Sequence, residues 1–176
     1  MKVLVTAFKP FNNNINNYAM EVLQYISNVD KRVIDVVYDK CYDELIKQTN
    51  IENYDLIIAL GEARNRHELT LELNAKNVAD CSLADNLGNI RKNDVIVPSG
   101  KDVIETLIKI DHLKDIVKYS SDAGKFVCNN LYYHLLSNVQ NKALFIHIPE
   151  CNNNIDNYKQ YAKTIEKIIY TIGEKL

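Results

Sequence analysis

Short runs of branched apolar residues alternate along this chain with segments in which apolar residues recur every three or four positions. The short runs predict strands at residues 2–8, 32–38, 54–61, 68–77, 94–100 and 142–149. The longer segments predict helices at residues 18–27, 42–47, 101–117, 126–136 and 155–172, with the least clear periodicity in 101–117. This alternation predicts a three-layer α/β/α fold with a mostly parallel, mixed central sheet flanked by helices.

Composition narrows the class of protein. The chain has 176 residues, of which 47% are hydrophobic and 25% charged, so we expect one domain over residues 1–176 with a sizeable core. The formal net charge is only -2, and Lys and Arg form no run that would follow a phosphate backbone. We therefore expect no nucleic-acid partner.

The cellular setting is predicted from the N-terminus and the cysteines. The chain passes from Met1 directly into a short apolar strand, without the longer apolar core of a secretory signal, and no segment approaches the roughly 20 apolar residues of a membrane span. The four cysteines, at 41, 81, 128 and 151, are too widely spaced for a metal-binding pair. We expect reduced thiols in a cytoplasmic protein that needs no membrane.

Cys128 is the first candidate for chemistry, because it lies where a predicted helix begins after the turn "SSDAGK". The partial positive charge of a helix N-terminus stabilises a thiolate, and Ser121 or Asp122 could cap this helix while Gly124 allows a sharp turn. Free cysteine also commonly fills a core as a small hydrophobe. We treat Cys41, Cys81 and Cys151, which lack this placement, as structural.

Two further polar residues interrupt apolar strands. His147 lies near the end of "ALFIHIP", and Glu72 lies between leucines in "LTLELN". A backbone carbonyl could satisfy the histidine, and an edge strand could turn the glutamate to solvent. Considered with Cys128, they compose a nucleophile, a base that takes its proton and a carboxylate that orients the base.

Four blocks of the sequence resemble the type I pyroglutamyl peptidases, also called pyrrolidone carboxyl peptidases. They are "KVLVTAFKPF", "GEARNRHELTLELNAKNVADCSLADNLGN", "DAGKFVCNNLYY" and "KALFIHIP", in the order of that family. The resemblance covers nearly the whole chain, with a shortened stretch between Pro98 and Ser120. It implies a cysteine exopeptidase that removes N-terminal 5-oxoproline from small peptides through a thioester.

The resemblance also implies roles for single residues. Cys128 takes the position of the nucleophile, His147 of the base and Glu72 of the carboxylate. Phe8 and Phe11 match aromatic residues near the site, and Phe11 would pack against the lactam ring. Glu62 takes the place of a glutamine whose main-chain carbonyl receives the lactam N–H. No metal or other cofactor is implied, and family members suggest a homo-oligomer, either a dimer or a tetramer.

Several positions depart from the family's pattern. Arg64-Asn65 replaces a pair of glycines, Asn12-Asn13 replaces another, and Ala7 replaces a further glycine. Leu73 replaces an arginine that follows the carboxylate, and Ser82 replaces an arginine assigned to the oxyanion, for which Ser82 itself or a nearby arginine could substitute. Two other functions therefore stay open: a cysteine hydrolase of another small lactam or amide, and a binding protein that has lost turnover.

Overall fold

The computed structural model describes residues 1–175. A six-stranded sheet forms the centre of the fold. Its strands are β1 (Val3–Phe8), β2 (Asp30–Ile34), β3 (Leu56–Glu62), β4 (Thr70–Glu72), β9 (Lys118–Ser120) and β10 (Ala143–Ile148). Their order is β2-β1-β3-β10-β4-β9, and all neighbouring pairs are parallel except β10 with β4. The predicted mixed, mostly parallel sheet is confirmed.

Helices cover both faces of the sheet because its central strands are apolar on both sides. One face packs against α1 (Tyr18–Tyr25) and α4 (Ile155–Gly173), and the other packs against α2 (Lys40–Gln48) and α3 (Val127–Val139). Alternation along β10 sends Leu144, Ile146 and Ile148 into the first core and Ala143 and Phe145 into the second. Within residues 1–175, no helix combines the length and apolar character needed to cross a membrane.

Two small antiparallel sheets lie beside the main sheet. The first pairs β5 (Asn74–Lys76) with β8 (Val103–Glu105), and the second pairs β6 (Ala79–Cys81) with β7 (Arg91–Asp94). The predicted strand 68–77 is therefore two strands in different sheets, separated at Leu73. The predicted strand 32–38 ends at Ile34, and Val36 and Tyr38 enter the core from a loop.

Two predicted elements are wrong. Residues 101–117 do not form a helix: they contain β8 and a 3₁₀ turn at Asp111–Leu113. Their apolar residues enter the core singly, at Ile110, Leu113 and Val117, while Leu107 stays 63% exposed. Residues 94–100 are not a strand either, since the strand β7 ends at Asp94 and the backbone then turns, with Ser99 at φ 60°. Contacts with distant residues decide both segments: β8 pairs with β5, and the N–H groups of Ile96 and Val97 donate to the Asn77 side chain.

The turn after β6 depends on a buried carboxylate. Asp85 is 5% exposed and accepts hydrogen bonds from the backbone N–H groups of Tyr38 (3.1 Å), Leu87 (2.9 Å) and Asn89 (2.9 Å). Burial raises the pKa of Asp85, but bonds from the Asn89 side chain and these N–H groups outweigh burial and lower it below its ordinary value. The ionised carboxylate thus joins this turn to the loop after β2.

We expect Asp85→Asn to lower the free energy of unfolding at pH 7 by about 1–3 kcal/mol, because an amide nitrogen would face N–H donors. A lowered folded-state pKa contributes stability above the unfolded value of about 3.9 that is lost as pH falls through the folded value. Urea unfolding should therefore show the difference shrinking below about pH 4. The exposed Asp102→Asn variant is the control, and a difference between Asp85→Asn and wild type that is independent of pH would contradict this explanation.

Candidate active site

Glu72, Cys128 and His147, which are distant in sequence, lie on the same side of the main sheet. His147 lies on the same face of β10 as Phe145, and Phe145 packs in the core beneath α3. Glu72 is the Cα partner of Phe145 on antiparallel β4, so it is the diagonal neighbour of His147 on that face. Cys128 is the second residue of α3, which covers this face.

Gly61 leaves room for the thiol of Cys128 on this face of the sheet. It is the Cα partner of His147 on parallel β3, and adjacent strands lie about 4.8 Å apart. A methyl group on Gly61 would lie 2.8 Å from Cys128 Sγ and 2.7 Å from Phe145 Cζ, both closer than van der Waals contact allows. The thiol therefore occupies the space above the glycine, next to the strand that carries His147.

A direct hydrogen bond joins the histidine to the glutamate. His147 Nδ1 lies 2.8 Å from Glu72 Oε1, and the exposed fractions of the two side chains are 6% and 0%. Because an ionised carboxylate only accepts, the hydrogen of this bond belongs to Nδ1, and Nε2 is left as the ring's basic nitrogen. Arg66 Nη2 also donates to Glu72 Oε1, over 3.0 Å.

A cavity of about 670 Å³ opens onto these groups. Its wall includes both Cys128 and His147, together with three residues proposed from sequence for substrate binding: Phe8, Phe11 and Glu62. Phe8 is buried, and the rings of Phe11 and Phe126 lie 5.9 Å apart between centroids, so this part of the wall is apolar. The structure thus brings all six sequence-predicted site residues into one region. Glu72 lies directly behind His147.

Burial has a larger effect on the Cys128 thiol than the helix N-terminus has. Burial raises the pKa of Cys128 to about 12, and the negative charges of Glu72 and Glu62 raise it further, against the opposing effect of the residue's own backbone N–H. A helix N-terminus contributes too little to offset that desolvation. The raised pKa favours the neutral thiol in the free protein, which agrees with the sequence-based interpretation that an imidazole base takes the thiol proton.

The turn before α3 also differs in detail. Gly124 has φ 77°, as a sharp turn requires, but neither Ser121 nor Asp122 caps the helix. The N-cap residue is Phe126, which provides no side-chain hydrogen bond, whereas Asp122 Oδ1 accepts from the N–H of Gly124. The backbone at the start of α3 consequently has no side-chain cap competing for its first N–H groups.

The Glu62 side chain is engaged away from the thiol. It is 2% exposed and accepts from the N–H of Tyr18 at the start of α1 (2.7 Å) and from Arg64 Nε (2.6 Å). The guanidinium of Arg64 also lies over the Tyr18 ring, 5.2 Å from its centroid. Arg64, which replaces a glycine of the family's pattern, therefore neutralises a buried carboxylate in the cavity wall.

Other departures have structural explanations. Asn12 and Asn13 have φ 53° and 58°, the left-handed conformation that glycine adopts freely and that asparagine tolerates better than most residues. Ser82 is exposed and does not line the cavity, whereas Arg64 and Arg66 do. Cys81, interpreted from sequence as structural, also lines the cavity, while Cys41 and Cys151 are buried.

Sequence reasoning missed two residues of the site, Gly61 and Arg66. Gly61 was interpreted only as the end of a strand, although glycine inside a strand often marks a close approach. Arg66 ends the quoted "GEARNR" but received no role. Within residues 1–175, no group of three or more His, Cys, Asp or Glu side chains could hold a metal ion.

Comparisons with known proteins place the chain among relatives of one kind. The model of the family described as "Pyroglutamyl peptidase" matches residues 1–172. A pyrrolidone-carboxylate peptidase of Thermosipho africanus is 30% identical, with 98% of this chain and 93% of that protein covered. One from a Thermoanaerobacter species is 31% identical, with 99% of each covered.

Solved structures agree with the sequence relatives. A mutant pyrrolidone carboxyl peptidase of Pyrococcus furiosus superimposes with a TM-score of 0.87 at 25% identity, covering 100% of both chains. Pyroglutamyl peptidase I of Bacillus amyloliquefaciens superimposes with a TM-score of 0.82 at 25% identity, covering 93% of both chains. The α/β arrangement described above is therefore the arrangement of these peptidases.

We expect Gly61→Ala to displace the thiol, because the added methyl group has no free space between Cys128 and Phe145. Overpacking of this kind costs about 1–3 kcal/mol of folding free energy. Urea unfolding measures that loss, and the rate of Cys128 alkylation at fixed pH measures the displacement. Gly88→Ala is the control, since no heavy atom lies within 4 Å of a methyl group there, although its φ of 82° adds backbone strain. An unchanged Cys128 alkylation rate in Gly61→Ala would contradict the close approach.

We expect iodoacetamide to alkylate Cys128 slowly near neutral pH in the free protein, since the raised pKa keeps the thiol protonated. The rate should rise continuously with pH and show no plateau below about pH 10. Mass spectrometry of the peptide that contains Cys128 separates its modification from that of Cys81. A plateau at or below pH 8 would show that a thiolate is already present, contrary to this expectation.

Proposed function

The chain belongs to the pyroglutamyl peptidase family, and on that basis we propose that it removes N-terminal pyroglutamate from peptides with Cys128, His147 and Glu72 as its catalytic residues. The observation that carries the assignment of residues is their convergence: Glu72 bonds His147 at 2.8 Å, and His147 shares a cavity wall with Cys128. The protein is a cysteine peptidase of the pyroglutamyl peptidase I type, and its substrate is a peptide.

The reaction begins with proton transfer, because the thiol of the free protein is neutral. His147 Nε2 takes the proton as Cys128 Sγ attacks the carbonyl carbon that links pyroglutamate to the next residue. The resulting tetrahedral oxyanion collapses, the C–N bond breaks, and the imidazolium returns the proton to the leaving amine. Water, activated by the same imidazole, then hydrolyses the thioester and releases pyroglutamate.

Glu72 stabilises the imidazolium that forms in both steps. Its carboxylate already accepts the Nδ1 hydrogen in the free protein, so the ring needs no reorientation when it becomes charged. Complete burial makes this interaction stronger than it would be in water.

The N-terminus of α3 is the candidate for oxyanion stabilisation. The first N–H groups of a helix have no intrahelical partner, and here Phe126 supplies no side-chain cap. The backbone N–H of Cys128 accordingly serves as a donor beside the nucleophile. Exposure of Ser82 argues against its hydroxyl in this role.

The lactam binds against the apolar part of the cavity. Phe8 and Phe11 offer contacts to the five-membered ring, and the ring N–H donates to the main-chain carbonyl of Glu62 at the end of β3. The Glu62 carboxylate is occupied by Tyr18 and Arg64, which supports a main-chain role for this residue. A change from glutamine to glutamate therefore leaves the recognition of the lactam intact.

The cellular compartment, the domain organisation and the oligomeric state are part of the same proposal. All four cysteines are free among the described residues, which is consistent with a reducing compartment and favours the cytoplasm. The family's match over residues 1–172 favours a single peptidase domain. Assembly into a homo-oligomer stays a prediction.

One observation favours a second candidate, a hydrolase of another small lactam or amide. Arg64 and Asn65 line the cavity at positions where the family's pattern has glycine, so the outer wall offers polar side chains to the substrate. Competition between a pyroglutamyl substrate and other cyclic or acyclic amides distinguishes the two candidates.

We expect the purified protein to release coumarin from a pyroglutamyl-coumarin substrate. Cys128→Ala and His147→Ala should abolish release while circular dichroism stays unchanged. Glu72→Gln should lower kcat by about 10²–10⁴-fold, since the imidazole loses the acceptor that orients it. Cys81→Ala, which removes another thiol of the cavity wall, should keep most of the activity. Release by wild type that does not exceed release by Cys128→Ala would refute the proposed function.

A further inference from the structure

One nitrogen of Arg66 lies within hydrogen-bond distance of three acceptors beside Glu72, so its two hydrogens are shared among them. Its Nη2 lies 3.0 Å from Glu72 Oε1, 3.1 Å from Ser120 Oγ and 2.8 Å from the main-chain oxygen of Asp122. Its backbone N–H also bonds the carbonyl of Ala63 over 2.9 Å, so the turn after β3 is closed. The side chain is 27% exposed and lines the cavity.

Arg66 and His147 act on the same atom. Both donate to Glu72 Oε1, whereas Glu72 Oε2 is buried and has no hydrogen-bond partner among residues 1–175. An ionised carboxylate with no exposed surface needs a compensating positive charge. If Arg66 were absent, only protonation of His147 could provide one from within this hydrogen-bonded group.

We propose that Arg66 is a positioning residue of the reaction: it compensates the charge of Glu72 so that His147 stays a neutral base at neutral pH. The catalytic part of this inference rests on the proposed function, whereas the effect on the protonation of His147 does not. The guanidinium bonds Glu72, Ser120 and the main chain of Asp122, so Arg66 acts on the reaction through Glu72.

Arg66 also connects the Glu72 carboxylate to the chain segment that precedes Cys128. Ser120 ends β9, and Asp122 lies in the turn that leads into α3 and Cys128. One guanidinium thus bonds the carboxylate on β4 and the chain that precedes the thiol. Loss of the side chain would loosen their relative placement, and a shift of about 1 Å at a reacting centre can cost roughly a hundredfold in rate.

The other cations near His147 are paired with carboxylates other than Glu72, so Arg66 compensates the charge of Glu72. Arg64 is neutralised by Glu62, Lys76 is paired with Asp122, and Lys125 is paired with Asp80. Cys128 and Tyr132 are the neighbouring groups with raised pKa values, and both are uncharged at neutral pH. Arg66 is the cation that contacts Glu72 directly.

The test measures the titration of His147 by NMR of its ring, which requires no substrate. The chain has four histidines, and His147→Ala identifies the signal of His147. Removing a positive charge favours the imidazolium, so Arg66→Gln should raise the titration midpoint by about one pH unit. The acid limb of the kcat/KM profile should move upward by the same amount.

Arg66→Lys and Lys118→Gln are matched controls. Arg66→Lys keeps the charge but not the planar fork, so its midpoint should stay within about 0.3 pH unit of wild type while kcat falls about tenfold or more at unchanged KM. Lys118→Gln removes a cation from an exposed pair with Glu68 and should change neither the midpoint nor kcat/KM.

Two results would overturn the proposal. One is a His147 midpoint in Arg66→Gln equal to that of wild type. The other, which stays decisive if Arg66→Gln does not fold, is a full-unit shift in Arg66→Lys, since the charge is retained there. If the ring titrates as expected but no variant releases coumarin, the role of Arg66 in protonation stands and the proposed function fails.

Discussion

A glutamate carboxylate with no exposed surface is the constraint on which the site depends. Buried negative charge is costly unless donors and a positive charge surround it. The Glu72 carboxylate obtains both from His147 on the neighbouring strand and from Arg66 on the turn after β3. Antiparallel pairing of β4 with β10 makes that meeting possible, since it brings Glu72 diagonal to His147 on one face. The one antiparallel pair of the main sheet therefore carries both Glu72 and His147.

The nucleophile shows how two electrostatic effects compete. A helix N-terminus favours a thiolate, whereas burial beside two carboxylates favours the thiol, and burial is the larger effect at Cys128. The raised pKa favours the neutral thiol, so the proposed mechanism requires His147 to take its proton. That step needs a neutral imidazole, and the proposed compensation of Glu72 by Arg66 would keep it neutral.

Local patterns predicted most of the main sheet and the helices that cover it. The strand at residues 143–148 reads as a continuous apolar run because both of its faces are buried. The helix at residues 155–173 has apolar residues every three or four positions because one of its faces is buried. The helix predicted over residues 101–117 is wrong because Ile104 and Leu113 pack in different cores from backbone that is not helical. Pairing of β8 with β5 decides that segment, and pairing is a property of the assembled fold.

The sequence by itself predicted Cys128, His147 and Glu72 as candidate site residues, because a thiol at a helix start and polar residues inside apolar strands are locally out of pattern. It also identified the family through four ordered blocks. Only the tertiary structure decided that Gly61 makes room for the sulfur, that the thiol is neutral and that Arg66 shares an oxygen with His147. Those features depend on burial and on contacts between distant segments, and neither quantity exists until the sheet is assembled.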